Sequence, residues 1–293
     1  MRKDLNYNIY SPPRNIMNIN EKVLNFYKQL PFNCTSSPEI AAEEIRRANI
    51  LPYYFGGWES LFKVKERAVL EIGCGTGWLS NMIKYYYKSP VVGIDFNPKA
   101  IGFAKEVGAV LLESGERAEF KTANLFEYED NSYDIVVSIG VLHHTDDCLG
   151  GIKKACELTK KSGHIIIGLY NAFGRRPFLD YFAKLKDKGL TEEELFAEYR
   201  KIDSRHKDET LAKSWFYDQV LHPHETLHTL KEVNKVYADN GVKMISTSIN
   251  NYNDFEDLNT LYQLETKLYD KGMYFLTNQK YYSGFFIVIG QKY

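Results

Sequence analysis

The chain divides by the rhythm of its apolar positions. Over residues 68–72, 91–94, 133–139 and 164–170 the apolar residues run almost without interruption, and glycine, proline or charged turns bound each run. Short continuous runs of this kind are strands buried on both faces. Between them, residues 77–87, 99–107 and 149–159 place apolar residues every three or four positions, the period of a helix with one face in a core. Residues 120–123 form a further, weaker strand. Strand and helix therefore alternate through the middle third, which predicts an α/β fold with a parallel sheet covered by helices on both faces.

The flanks have a different rhythm. Residues 21–58 read as interrupted helix, with Val23, Leu24, Tyr27 and Leu30 at helical spacing before Pro31 and Pro38. Ser37-Pro38-Glu39 reads as a cap and first turn, opening a helix through Ile45 and Ala48 that stops before Pro52. Residues 178–240 hold no strand pattern but several helical segments, among them 192–199 and 226–239. Strand character returns at 242–249 and 284–289. The predicted organisation is an N-terminal helical lid over 1–66, a ligand-binding core over 67–172, a helical insertion capping the acceptor side over 173–240, and closing strands over 241–293.

Composition narrows the partners. With 293 residues and 44% hydrophobic side chains, the chain buries a sizeable core without disulfides. The 37 basic and 38 acidic residues leave a net charge of -1, which argues against a broad nucleic-acid surface. Cys34, Cys74, Cys148 and Cys156 make no C-x-x-C pair and no zinc spacing, so a reducing compartment is expected. Residues 1–14 are polar with two prolines and do not read as a signal peptide. No apolar run reaches the roughly eighteen residues of a membrane span. The expectation is a soluble cytoplasmic protein.

The most informative segment is Val69-Leu70-Glu71-Ile72-Gly73-Cys74-Gly75-Thr76-Gly77-Trp78-Leu79. A strand ending in glycines and entering a helix brings backbone close to a ligand at the carboxyl edge of the sheet. A dinucleotide loop would read G-x-G-x-x-G and would rest a pyrophosphate on the helix N-terminus. Here the spacing is G-x-G-x-G, Trp78 stands at the third glycine's place, and Glu71 precedes the loop. A carboxylate there would repel a pyrophosphate and suits a ligand carrying an ammonium group.

This loop resembles motif I of the class I S-adenosylmethionine-dependent methyltransferases, and further segments follow in that family's order. Val91-Val92-Gly93-Ile94-Asp95-Phe96-Asn97 resembles its second strand, whose terminal acid holds both ribose hydroxyls. Ala123-Asn124-Leu125-Phe126 resembles the loop that meets the adenine, with Asn124 where the family often has Asp. Residues 134–144 resemble the fourth strand and the loop beneath the methionine part, with Ile139 and Gly140 at its end. Leu158-Thr159-Lys160-Lys161-Ser162-Gly163-His164-Ile165 resembles the turn into the fifth strand. The resemblance covers residues 68–170 and, more loosely, the closing strands. It implies a Rossmann-like, mostly parallel sheet of seven strands with the last antiparallel. It also implies S-adenosylmethionine as cofactor, held by Glu71, Gly73, Cys74, Gly75, Gly77, Asp95, Phe96, Asn124, Leu125, Ile139 and Gly140.

Methyl transfer from a sulfonium is an in-line displacement in which the protein aligns the acceptor and excludes water, and a base is needed only where the acceptor must lose a proton. His143 and His144, after the fourth strand, and Tyr170, at the end of the fifth, are the catalytic candidates. Packing or a hydrogen bond to the following helix is the plainer reading of either histidine. Asn171, Arg175 and Arg176 follow at the same edge, the arginines as a candidate clamp for a carboxylate or phosphate. Trp215, Tyr217, Asp218, Gln219, His222, His224 and His228 are candidates for an acceptor pocket beneath the insertion, and Tyr27, Phe32 and Asn33 for a lid over the cofactor or acceptor.

His224-Glu225-Thr226-Leu227-His228 is a literal H-E-x-x-H, a zinc site when it lies on a helix. Five residues of this composition arise readily by chance, and the α/β core already accounts for the preceding half of the chain, so no metal is expected. The reading is a methyltransferase for a small-molecule acceptor. Methylation of RNA or protein, which a local groove formed by Arg175, Arg176, Lys184, Lys186 and Arg205 would support, is the alternative within the class. A binding module without turnover is the alternative outside it.

Overall fold

The computed structural model describes residues 19–293, and the expectation for residues 1–14 lies outside them. Ahead of the sheet come α1 (Ile19–Gln29), α2 (Pro38–Arg47), α3 (Leu51–Phe55) and a short 3-10 turn over Trp58–Lys63. Ser37 caps α2 through its side chain, as the Ser-Pro-Glu sequence predicts. The core then alternates as β1 (Val69–Ile72), α4 (Trp78–Tyr87), β2 (Val91–Asp95), α5 (Pro98–Leu111), β3 (Glu119–Thr122), β4 (Tyr133–Ile139), α6 (Cys148–Leu158) and β5 (Thr159–Tyr170). The insertion holds α7 (Arg176–Asp187), α8 (Glu192–Ile202) and α9 (Glu209–Phe216), followed by a π-helical turn over Tyr217–Leu221. Then come α10 (Leu230–Asp239), β6 (Val242–Thr247), α11 (Leu258–Thr266), α12 (Leu268–Thr277) and β7 (Phe285–Lys292).

The seven strands lie in the order β3-β2-β1-β4-β5-β7-β6. β1 to β5 are mutually parallel, and β7 runs antiparallel to both β5 and β6. This is the expected sheet. One core lies on each face. Leu70, Ile72, Val136 and Ile165 pack with α6 and α10 on one side; Val69, Ile135, Val137 and Ile166 pack with α2, α3 and α4 on the other. Successive residues of β1 thus enter opposite cores, the period-two alternation of a strand.

The helical insertion carries its own small core. Phe178, Phe182, Leu195, Tyr199, Phe216 and Val220 bury one another, and Leu276 of α12 packs against them. α10 belongs elsewhere, since its Leu230, Val233 and Tyr237 are buried with β5, β6 and β7.

Four elements differ from the sequence expectation. The helix expected over 226–239 starts at Leu230, behind a capping box of Thr229 and Glu232. The residues before it run extended, with His228 bridged to Asn171 at the end of β5. β5 begins at Thr159 rather than 164 and takes up the expected turn, with Ser162 at φ 63 and a register shift against β4. α11 and α12, between β6 and β7, were not expected at all.

Candidate functional site

Sheet order reverses between β1 and β4, and a cavity of about 240 Å³ opens at the carboxyl ends of the strands there. Gly73 and Gly75 after β1, Asp95 and Phe96 after β2, Asn124 and Leu125 after β3, and Gly140 after β4 line it. α1 closes it with Asn20, Val23 and Tyr27, and Phe32 lines it as well.

The glycine loop is shaped by backbone that other residues rarely adopt. Gly73 has φ 70, and a Cβ there would stand 2.3 Å from a methyl of Val141. Gly75 has φ 52 with open space around it, so its backbone faces the cavity directly. Asp95 braces the loop. Its Oδ2 accepts from the Gly75 N–H at 2.9 Å and its Oδ1 from the Asn97 N–H at 2.8 Å. Each oxygen keeps acceptor capacity toward the cavity. Burial raises the Asp95 carboxyl above its ordinary range, and the two backbone donors work against that rise.

Asn124 lines the cavity as expected, and its carbonyl accepts from the Phe126 N–H at 3.1 Å while keeping a second lone pair. Four expected cofactor residues do not line it. Glu71 is 3% exposed and turned toward α4, where its Oε2 accepts from the Ser80 N–H at 2.9 Å and from the Ser80 hydroxyl. Burial pushes its carboxyl up to about 8, against the Ser80 hydrogen bonds, with Asp95 adding to the rise. Cys74 is buried with Ile101, Ala104 and Phe120 beneath the loop. Gly77, at φ 78, caps α4 and lets it approach Ala104 and Phe120. Ile139 packs into the sheet core. These four residues build the loop and its supports: alternation on β1 and β4 turns Glu71 and Ile139 away from the cavity, while Cys74 packs beneath the loop and Gly77 caps α4.

Of the catalytic candidates, His144 alone reaches the cavity. The 3-10 turn Leu142–His144 presents it, and its Nδ1 lies 2.9 Å from the His224 carbonyl. A carbonyl only accepts, so Nδ1 carries the hydrogen and Nε2 is the nitrogen that exchanges a proton. Nε2 lies 3.6 Å from Asp218 Oδ1, and both side chains are buried. Asp218 also accepts from the Tyr27 hydroxyl at 2.5 Å, the Tyr170 hydroxyl at 3.3 Å and Gln219 Nε2 at 2.7 Å.

His143 and Tyr170 stand behind His144. The His143 ring is wholly buried, 4.2 Å from the rings of both His144 and Tyr170, and neither of its nitrogens has a hydrogen-bond partner. Burial, reinforced by His144, holds it well below the ordinary imidazole range and so keeps it neutral. Tyr170 is buried, and burial together with Asp218 raises its hydroxyl well above the ordinary range. Neither side chain is placed to meet a substrate.

The expected acceptor residues separate in the same way. Arg175 is 0% exposed, and its Nε and Nη2 each donate to Glu225 at 3.0 Å. Its guanidinium also covers the Tyr170 ring at 4.1 Å. Burial opposes its charge, yet Glu225 raises the group further above its ordinary range, so it clamps a protein carboxylate instead of a ligand. Arg176 is exposed at the start of α7. Asn171 is buried and donates to Glu265 of α11 at 2.6 Å, tying β5 to that helix. Trp215 donates to Asn33 at 3.1 Å and stacks near Phe32, joining the insertion to the segment after α1. His222 lies over His144 at 3.8 Å, and burial with His144 lowers it below its ordinary range.

The H-E-x-x-H segment is not helical, so its three side chains diverge. His224 Nε2 meets the Thr145 carbonyl at 3.0 Å, Glu225 pairs with Arg175, and His228 Nε2 meets the Thr226 hydroxyl at 2.8 Å. Among the described residues no three His, Cys, Asp or Glu side chains converge as a metal site. Three of the five side chains named for the alternative's basic groove have partners within the protein. Arg175 is buried, Arg205 forks onto Asp203 at 2.8 Å through both Nε and Nη2, and Lys186 is tied to the Val220 carbonyl. Tyr217 and Gln219, also expected in the acceptor pocket, do not line the cavity: Tyr217 donates to Glu192 at 2.5 Å, and the π-helical turn carries Gln219 inward to a buried position. The Asn97 cap was within reach of the sequence, since Asn-Pro directly after a strand acid marks a helix cap.

Comparison with known proteins places this geometry. A family model described as a methyltransferase domain matches residues 63–283. The chain is 28% identical to a phosphoethanolamine N-methyltransferase of Arabidopsis thaliana over 121 residues, 41% of this chain and 24% of that protein. It is 28% identical to a ubiquinone biosynthesis O-methyltransferase of Aliivibrio fischeri over 108 residues, 36% of this chain and 44% of that protein. The chain thus spans less than half the length of the curated relatives it matches. Its fold is similar to that of magnesium protoporphyrin IX methyltransferase from Synechocystis, solved with bound S-adenosylmethionine, at TM-score 0.50 and 14% identity, covering 95% of this chain and 93% of that one. Because the family match runs from the turn before β1 to the approach of β7 and takes in the whole glycine loop and the cavity wall built by the strand ends, the chain belongs to the methyltransferase domain family.

Proposed function

We propose that the protein transfers a methyl group from S-adenosylmethionine to a small-molecule acceptor, with His144 as the base. The observation that carries this reading is the chemistry of the cavity wall. Beyond a glycine loop of open backbone stands a carboxylate, Asp95, and among the described residues the wall includes no lysine or arginine. A site of that character suits a cationic nucleoside without phosphate and is hostile to a pyrophosphate. When bound, S-adenosylmethionine supplies a methyl group already activated on a sulfonium.

The chain's own residues divide the remaining work. Asp95 takes the ribose hydroxyls, and Asn124 with the apolar wall of Ala123, Leu125 and Phe126 takes the adenine. With Glu71 turned away, the amino-acid end is left to the backbone around Gly73 and Gly140. α1 covers the cavity and keeps water from it. With the donor bound, His144 Nε2 would take the proton that the acceptor gives up, and Asp218 stands beside the imidazolium so formed. An acceptor that keeps its proton near neutral pH, such as a hydroxyl or amine, fits a site with such a base. Relatives named for phosphoethanolamine and for ubiquinone biosynthesis support a small molecule.

The test is a metabolite screen with S-adenosylmethionine, read by mass spectrometry for a gain of one methylene. With the acceptor so found, His144→Gln is expected to lower kcat about a hundredfold, within the usual range for loss of a general base, and to leave donor affinity unchanged. Full turnover in His144→Gln would remove the base assignment.

A further inference from the structure

We infer that Gln219 and Arg175 are positioning residues that hold the Asp218 carboxylate against His144. The inference rests on the reading of His144 as the base, and it assigns work to a buried cation and a buried amide that no step above uses.

The argument turns on the polarity of a primary amide, which donates at one end and accepts at the other. Gln219 Oε1 accepts from Arg175 Nη1 at 2.9 Å and from the Tyr281 hydroxyl at 2.8 Å. A guanidinium has only donors, so it dictates which end of the amide faces it. Nε2 therefore faces the other way, donating to Asp218 Oδ2 at 2.7 Å and to the Tyr170 hydroxyl. Tyr170 in turn donates to the same Oδ2 at 3.3 Å. With Oδ2 held from two sides, Oδ1 is left to the Tyr27 hydroxyl and to His144.

Arg175 is itself fixed. Two donors fork onto Glu225, Nη2 also reaches the Gln219 carbonyl at 2.8 Å, and the Tyr170 and Phe178 rings lie at 4.1 and 4.7 Å from the guanidinium. The chain of contacts runs from Glu225 through Arg175 and Gln219 to Asp218 and then to the cavity. The π-helical turn makes it possible, because it carries both Asp218 and Gln219 inward. Around the His144 ring the other titratable groups are His143 from the same 3-10 turn, Tyr170 from the end of β5, His222 from the extended segment after the π-helical turn, and Tyr27 from α1.

The experiment follows the His144 ring by carbon-13 NMR of histidine-labelled protein across pH, its signal assigned by its loss in His144→Gln. Asp218→Asn removes the carboxylate and is expected to weaken proton binding by the ring about threefold or more. Gln219→Leu and Arg175→Lys are expected to move it in the same direction, each by about twofold or more, since the carboxylate is no longer held in place. Curves for Gln219→Leu and Arg175→Lys that superimpose on wild type, beside a displaced Asp218→Asn curve, would overturn the inference; both residues would then only pack. A curve unmoved in Asp218→Asn would overturn it too. Should Arg175→Lys fail to fold, Gln219→Leu, which alters no charge, decides. Calorimetry with S-adenosylhomocysteine on the same proteins separates the two claims. Affinities within about twofold of wild type are expected, because neither residue lines the cavity. A wild-type protein that bound none would remove the donor reading, while the NMR curves would still judge the positioning.

Discussion

At the scale of single residues, the site rewards attention to which way a side chain points. Asp95 was legible because an acid at the end of a strand, after a glycine loop, has little choice but to face the cavity. Glu71, expected beside the cofactor, does not line the cavity and is paired with Ser80. On β1, Ile72 faces the cavity, so its neighbour Glu71 must face α4. The consequence is measurable. A carboxyl at about 8 in the folded chain, against 4.5 ordinarily, binds a proton in the native state that the unfolded chain has released. Its stabilising contribution is therefore complete below pH 4.5 and is lost as pH rises toward 8. Glu71→Gln keeps the neutral form at every pH. Its stability relative to wild type is predicted to improve as pH is raised from 5 to 8, by about 3 kcal/mol in all. Urea titrations at several pH values check this, and a difference that stays constant with pH would show that Glu71 is ionised throughout.

At the scale of elements, β1, β2 and β4 were read almost to the residue, while β5 extends five residues ahead of its expected start. β4 occupies 133–139 as expected, since a continuous apolar run has one physical reading once its length is fixed. α11 and α12 were missed because the sheet draws little on them: their buried residues are Leu261, Glu265 and Gly272. The segment ahead of α10 was misread because His224 and His228 have helical spacing, while its backbone pairs with the end of β5. α1 is the element whose role is most open to direct test. It buries one residue, Val23, yet supplies three side chains to the cavity wall and receives a hydrogen bond from Asn97 at the Tyr27 carbonyl. Removing residues 1–29 is predicted to leave a folded protein whose affinity for S-adenosylhomocysteine falls about tenfold, equivalent to about 1.4 kcal/mol. Unchanged affinity would mean that α1 is not part of the binding wall.

At the scale of the whole molecule, one architectural fact organises the rest. The reversal of strand order between β1 and β4 opens a cleft, and the loops after four strands converge on it. Of this, the parallel sheet was readable from alternating strands and helices, and the ligand-binding loops from the family resemblance. The closure was not, because it depends on contacts between residues far apart in the chain. Tyr27 meets Asp218 across 191 positions, and Trp215 meets Asn33 across 182. Lid and insertion thus join at the place where His144 enters the cavity, and no local pattern encodes such a meeting. Everything functional still depends on the cavity accepting a cationic nucleoside. Titration calorimetry of the purified chain with S-adenosylhomocysteine and, separately, with NADH measures this most directly. The account predicts micromolar binding of S-adenosylhomocysteine, weakened at least about tenfold in Asp95→Ala by loss of hydrogen bonds to a charged group, and no heat with NADH. Binding of NADH with none of S-adenosylhomocysteine would contradict it.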